Sequence, residues 1–95
     1  MKPAGKVKTL RSIRKDCYRA VLRKAREEAG LTQEKFAKKI QQTQSFVSRY
    51  ESGRRGLAVL EWIDISAALG MKLTTFGARY EEELKRALSG QARAA

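Results

Sequence analysis

Between Thr43 and Gly53 the chain reads TQSFVSRYESG, and four of these side chains share one kind of chemistry. Gln44, Ser45, Ser48 and Arg49 fall on one face of a helix, carry hydrogen-bonding groups and include no acid. A glutamine amide presents the donor and acceptor that pair in two places with adenine N6 and N7, and an arginine fork does the same with guanine. Val47 and Tyr50 fall on the opposite face and are expected to point inward. This is chemistry of recognition. The sequence holds no glycine-rich phosphate loop, no nucleophile with its base and no carboxylate pair, so an enzyme is not expected. With one cysteine, Cys17, and no histidine, an intrachain disulfide and a zinc site of Cys/His type are excluded. No cofactor and no metal are expected.

The reading face needs elements to hold it, and Thr32 to Gly53 supplies them. Thr32 caps a second helix, with Glu34 in the first turn where the dipole favours an acid. Phe36, Ala37 and Ile40 form its apolar stripe, and it stops near Ile40. Gln41, Gln42 and Thr43 make a short turn, and Thr43 caps a third helix over about Gln44 to Ser52. A turn this short forces a steep crossing, and Ala37 is small enough to allow it. Gln41 stands where the turn needs a left-handed residue, at a cost of about 1 kcal/mol for a non-glycine. Phe46 either meets a thymine methyl or covers the second helix, and packing is the preferred reading.

Around this unit the pattern predicts three more helices. The first spans about Ile13 to Ala29, capped by Ser12 and ended by Gly30, with Ile13, Cys17, Val21, Ala25 and Ala29 at four-residue spacing. Cys17 is read as a small, half-buried helix residue. The fourth covers about Val59 to Leu69 before Gly70, with Leu60, Ile63 and Ala67 as its inner face and Trp62 in or beside the core. The fifth runs from about Thr75 to Leu88, with Phe76, Tyr80, Leu84 and Leu88 every fourth residue. No strand-like alternation occurs. The fold class is therefore all-α: a compact bundle of about five helices around a helix-turn-helix. Residues 1–11 are expected to be a flexible basic arm, residues 12–89 the folded domain and residues 90–95 a tail.

Charge agrees with this reading. The 95 residues carry a net charge of +11. Residues 1–56 hold 16 Lys/Arg and 5 Asp/Glu, whereas residues 57–95 hold 5 of each, so all the excess lies on one side. A polyanion is the natural partner of such a surface. No apolar run is long enough for a membrane span, and the basic N-terminus lacks the apolar stretch of a secretory signal. The expected location is cytoplasmic and DNA-associated, in a bacterial or phage-encoded setting.

The segment LRKAREEAGLTQEKFAKKIQQTQSFVSRYESGRR, Leu22 to Arg55, resembles the XRE or lambda-repressor-like helix-turn-helix proteins, and LEWIDISAALG, Leu60 to Gly70, extends the likeness. AGLTQEKFA and QSFVSRYESG are its most typical parts. The resemblance implies a bundle of four or five helices that binds duplex DNA, usually as a transcription regulator and often as a dimer. It implies that Gln44 reads adenine, with Ser45, Ser48 and Arg49 at the other base-facing positions. It assigns phosphate contacts to Gln33, Thr43, Ser52, Arg54 and Arg55, and makes Arg26 and Glu51 a structural pair tying the first helix to the third. The expected function is sequence-specific duplex recognition by a repressor, as a homodimer joined through the C-terminal helix. The alternative is an antitoxin of the HigA type, which binds a toxin protein and its own promoter.

Overall fold

The computed structural model describes residues 8–94, and the side chains of residues 8–90. Five helices follow in order: α1 (Leu10–Glu28), α2 (Gln33–Lys39), α3 (Gln44–Ser52), α4 (Val59–Ala68) and α5 (Leu73–Ala94). Among the described residues there is no strand, and the fold is all-α.

α1 begins earlier than expected. Thr9, not Ser12, is its cap: the Thr9 hydroxyl accepts from the Ser12 backbone N–H at 3.1 Å. The Ser12 hydroxyl donates back to the Thr9 carbonyl at 3.0 Å. Two capping residues three apart allowed either start, and the earlier one gains almost a full turn of helix. Leu10 and Arg11 of the expected arm therefore belong to α1, while residues 1–7 of that arm lie outside the described residues. At the other end, α5 runs through the expected tail as far as Ala94.

Four helices end in the same way. After α1, α3 and α4, glycines 30, 53 and 70 take positive φ. In each case the next residue's N–H reaches back to close the helix: Leu31 to the Arg26 carbonyl, Arg54 to that of Arg49, and Met71 to that of Ser66. α2 makes the same reversal without glycine. Gln41 sits at φ 56°, donating to Lys38, and Gln42 donates to Ala37 at 2.8 Å.

The core lies between α1, α2, α3, the second half of α4 and the start of α5. Leu22, Phe36, Val47, Tyr50 and Ile65 are wholly enclosed, with Val21, Ala25, Ala37, Met71 and Phe76 around them. Cys17 is fully rather than half buried, and that burial raises its thiol pKa. α5 lies along α1, and the ion pairs Lys24–Glu83 and Arg79–Glu28 run down the seam.

α4 is turned relative to the expectation. Leu60 and Ala67 are exposed, Leu60 at 73%, and Ile63 is half-buried. The inner face is instead Ile65 and Ser66, flanked by Trp62 and Leu69. Apolar residues stand on nearly every side of this helix, so periodicity permits more than one phase. Phe76 of α5 meets Trp62 edge-on, ring centres 5.1 Å apart, and α4 takes the phase that buries that contact. On α5 the stripe is graded: Phe76 is buried, Tyr80 and Leu84 are half-buried, and Leu88 is exposed.

Candidate nucleic-acid interface

The surface is built outward from α3. Thr43 caps it, its hydroxyl accepting from the Phe46 N–H at 3.1 Å, and Val47 and Tyr50 lock it underneath. That fixes the rotation of the helix about its axis. Gln44, Ser45, Ser48 and Arg49 consequently all stand exposed on one side. None of the four donates or accepts a side-chain hydrogen bond among the described residues, so all remain available to a partner.

Behind α3 lies a buried joint. Arg26 of α1 grips Glu51 through two bonds, Nε to Oε2 at 2.7 Å and Nη2 to Oε1 at 3.0 Å. Its remaining Nη1 donates to the Leu31 carbonyl at 2.7 Å. Both side chains are almost wholly enclosed, at 8% and 4% exposed. The bond to Glu51, more than any other cause, holds the Arg26 pKa above its usual value. Gln33 joins them, its amide nitrogen donating to Glu51 Oε1 at 3.0 Å. One carboxylate thus binds the start of α2 and the last turn of α1 to the end of α3. This contact of Gln33 was not foreseen: sequence spacing shows no link between positions 33 and 51, and only the crossing of α2 over α3 brings them together.

The flanks are cationic. Lys35, Lys38, Lys39, Arg49 and Arg54 are exposed and form no ion pair among the described residues. Arg55 differs from its neighbour Arg54. It makes a fork to both oxygens of Glu61 at 3.0 Å, and its guanidinium lies 4.7 Å from the centre of the Phe46 ring. That bond raises the Arg55 pKa and, with the Ala58 N–H, lowers that of Glu61. Ser52 donates its hydroxyl hydrogen to the Arg49 carbonyl at 3.2 Å. Phe46 is half-buried, edge-on to Tyr50 at 5.5 Å, and therefore packs.

A short two-helix unit with an exposed, acid-free outer helix and unpaired cations beside it defines a helix-turn-helix DNA-binding protein. The helix-turn-helix family model matches residues 22–76, more than half of the chain, and the protein belongs to that family, of the XRE type. Neither the curated proteins nor the solved structures gave a match. No helix among the described residues is long and apolar enough to cross a membrane.

Proposed function

We propose that the protein is a sequence-specific transcription regulator of the repressing kind, which lays α3 in the major groove of duplex DNA. One observation carries this reading: four unengaged, non-acidic polar side chains stand together on the N-terminal part of a helix whose rotation is fixed by buried Val47 and Tyr50 and whose end is anchored by a buried ion pair. Gln44, Ser45, Ser48 and Arg49 read base edges. Thr43, whose capping hydroxyl accepts from Phe46 and keeps its hydrogen to donate, and Arg54 lie at the two ends of α3, where a phosphate strand passes. Gln33, Ser52 and Arg55 are secondary members of that set because each already donates to a partner within the protein. Two copies bind together, one per half-site. The exposed residues Val59 and Leu60 of α4 and Leu88 of α5 support such pairing, whereas Phe76 is used inside the subunit.

Selection from random duplex DNA yields the site, and salt titrations of variants on that site and on scrambled DNA test the roles. Gln44→Ala costs about 1–3 kcal/mol on the selected site and leaves scrambled DNA almost unaffected. Arg54→Ala weakens both alike and flattens the slope of log affinity against log salt by about 0.9. Arg55→Ala flattens it less, since Glu61 already partners that charge. If Gln44→Ala and Arg54→Ala behave identically on both duplexes, α3 is not the reading element. Recovery of a stoichiometric toxin-like partner from cells would replace the repressor reading with the antitoxin one.

A further inference from the structure

A cleft of about 680 Å³ opens between the first half of α1, residues 53–57, α4 and α5, away from the reading face of α3. Its volume lies within the range of about 300–1,000 Å³ common to small-molecule sites. Four of the chain's seven aromatic residues line it: Tyr18, Trp62, Phe76 and Tyr80. Phe76 stands at the centre of that group, edge-on to Tyr18 and Trp62 and parallel to Tyr80. The other three rings are only half-buried. The Trp62 indole N–H is buried with no hydrogen-bond partner among the described residues.

Arg11, Arg14 and Lys15 stand on the α1 side of the same cleft. At spacings of three and four they share one helix face with Tyr18, and like charges so placed repel. No ion pair among the described residues offsets this. The nearest acid, Asp16, is taken by Lys8 and Arg19, no acid occurs in the first turn of α1, and the three cations form no ion pair among the described residues. A cleft lined by tilted aromatic rings, with an unneutralised cationic side, matches a ligand that has a ring at one end and negative charge at the other.

We propose that this cleft binds a small planar aromatic anion, with its ring among Tyr18, Trp62 and Tyr80 and its carboxylate or phosphate on Arg11, Arg14 and Lys15. An aryl carboxylate and a nucleoside monophosphate share this chemistry. The proposal does not rest on the reading of bases by α3: the three cations lie outside that face, and Arg55, which also borders the cleft, is held by Glu61. DNA phosphates can use the same charges, but a duplex backbone has no ring to place among the aromatic side chains.

Trp62 is the sole tryptophan of the chain, so its fluorescence reports on this cleft alone. The full-length protein is titrated at moderate salt with AMP and with phenylpropionate, against adenosine and inorganic phosphate as halves of the ligand. At least one aromatic anion produces a saturable change in Trp62 emission, and adenosine and phosphate each bind about tenfold more weakly or worse. Arg14→Gln, an exposed change that spares the fold, weakens the aromatic anion by about tenfold. Whichever of AMP and phenylpropionate binds identifies the charged group. Three results overturn the proposal: no saturable change with either aromatic anion, phosphate alone equalling AMP, or Arg14→Gln leaving ligand affinity intact while lowering affinity for every duplex. The last result would assign these cations to the DNA backbone.

Discussion

Two arginine–glutamate pairs sit at opposite ends of the same short stretch of chain, and they behave as different devices. Arg26–Glu51 closes the joint beneath α3 and is almost wholly enclosed. Arg55–Glu61 spans the loop after α3, with its side chains 41% and 33% exposed. Both are forked, and bond lengths barely separate them. Water does. Removing one partner of the buried pair leaves a charge in a medium that cannot solvate it, whereas water takes over from a lost partner at the surface. The buried pair therefore sets the position of α3. The exposed one trims a loop and moderates the charge of a single arginine.

The largest effect that sharpens this contrast is at Arg26. Arg26→Ala strands Glu51 and frees the Leu31 carbonyl, and destabilises by about 3–5 kcal/mol in denaturant unfolding. A loss no greater than that of Arg55→Ala would erase the distinction between the two pairs. Next comes Gly53, the reversal that leads from α3 into the exposed loop. It holds φ 86°, and an added Cβ would stand 2.9 Å from the Arg19 guanidinium. Gly53→Ala costs about 1–2 kcal/mol, mostly from the left-handed backbone, because the arginine end can swing away. The matching position before α3 is Gln41, also exposed, the same reversal made at φ 56° by a residue with a Cβ. There the sign inverts: Gln41→Gly stabilises, by less than about 1 kcal/mol once the greater freedom of unfolded glycine is subtracted. Thermal unfolding of the two variants side by side checks both, and a loss at Gln41→Gly would contradict the backbone account.

The smallest effect belongs to the exposed pair itself. Glu61 accepts from Arg55 and from the Ala58 N–H at 2.9 Å, and its folded-state pKa is lowered as a result. A lowered folded pKa means that the ionised group stabilises the fold above its unfolded pKa. That contribution disappears as pH falls through the lower folded value. The melting temperature of the native protein should therefore exceed that of Glu61→Gln slightly at neutral pH, with the gap closing only in acid, below the ordinary carboxylate value of 4.5. A gap that persists unchanged into strong acid would show that the carboxylate charge plays no part in capping α4.

The helix-turn-helix was legible from residue types because its constraints are local. Thr43 could cap only the helix that follows it, a turn of three residues leaves few crossings, and Val47 and Tyr50 are centred opposite Ser45 and Ser48 by helical geometry alone. The same holds for the glycines after α1, α3 and α4, whose place in the reversal depends on φ at one residue. These features involve partners within one or two turns of helix, and composition and spacing specify them.

What tertiary structure decided was of longer range. The phase of α4 was ambiguous, since apolar residues surround that helix and local periodicity cannot rank its faces. The docking of Phe76 beside Trp62 ranked them, and left Leu60 outside. Likewise Gln33 meets Glu51 only because α2 crosses α3, and the three cations at the start of α1 share a cleft with four aromatic rings only because α5 folds back along α1. The sequence by itself determined which helices form, where the first four stop and which face of α3 is polar, because neighbouring residues settle those questions. Which apolar face is buried and which charges meet depend on pairs far apart in the chain, whose encounter only the packed bundle determines.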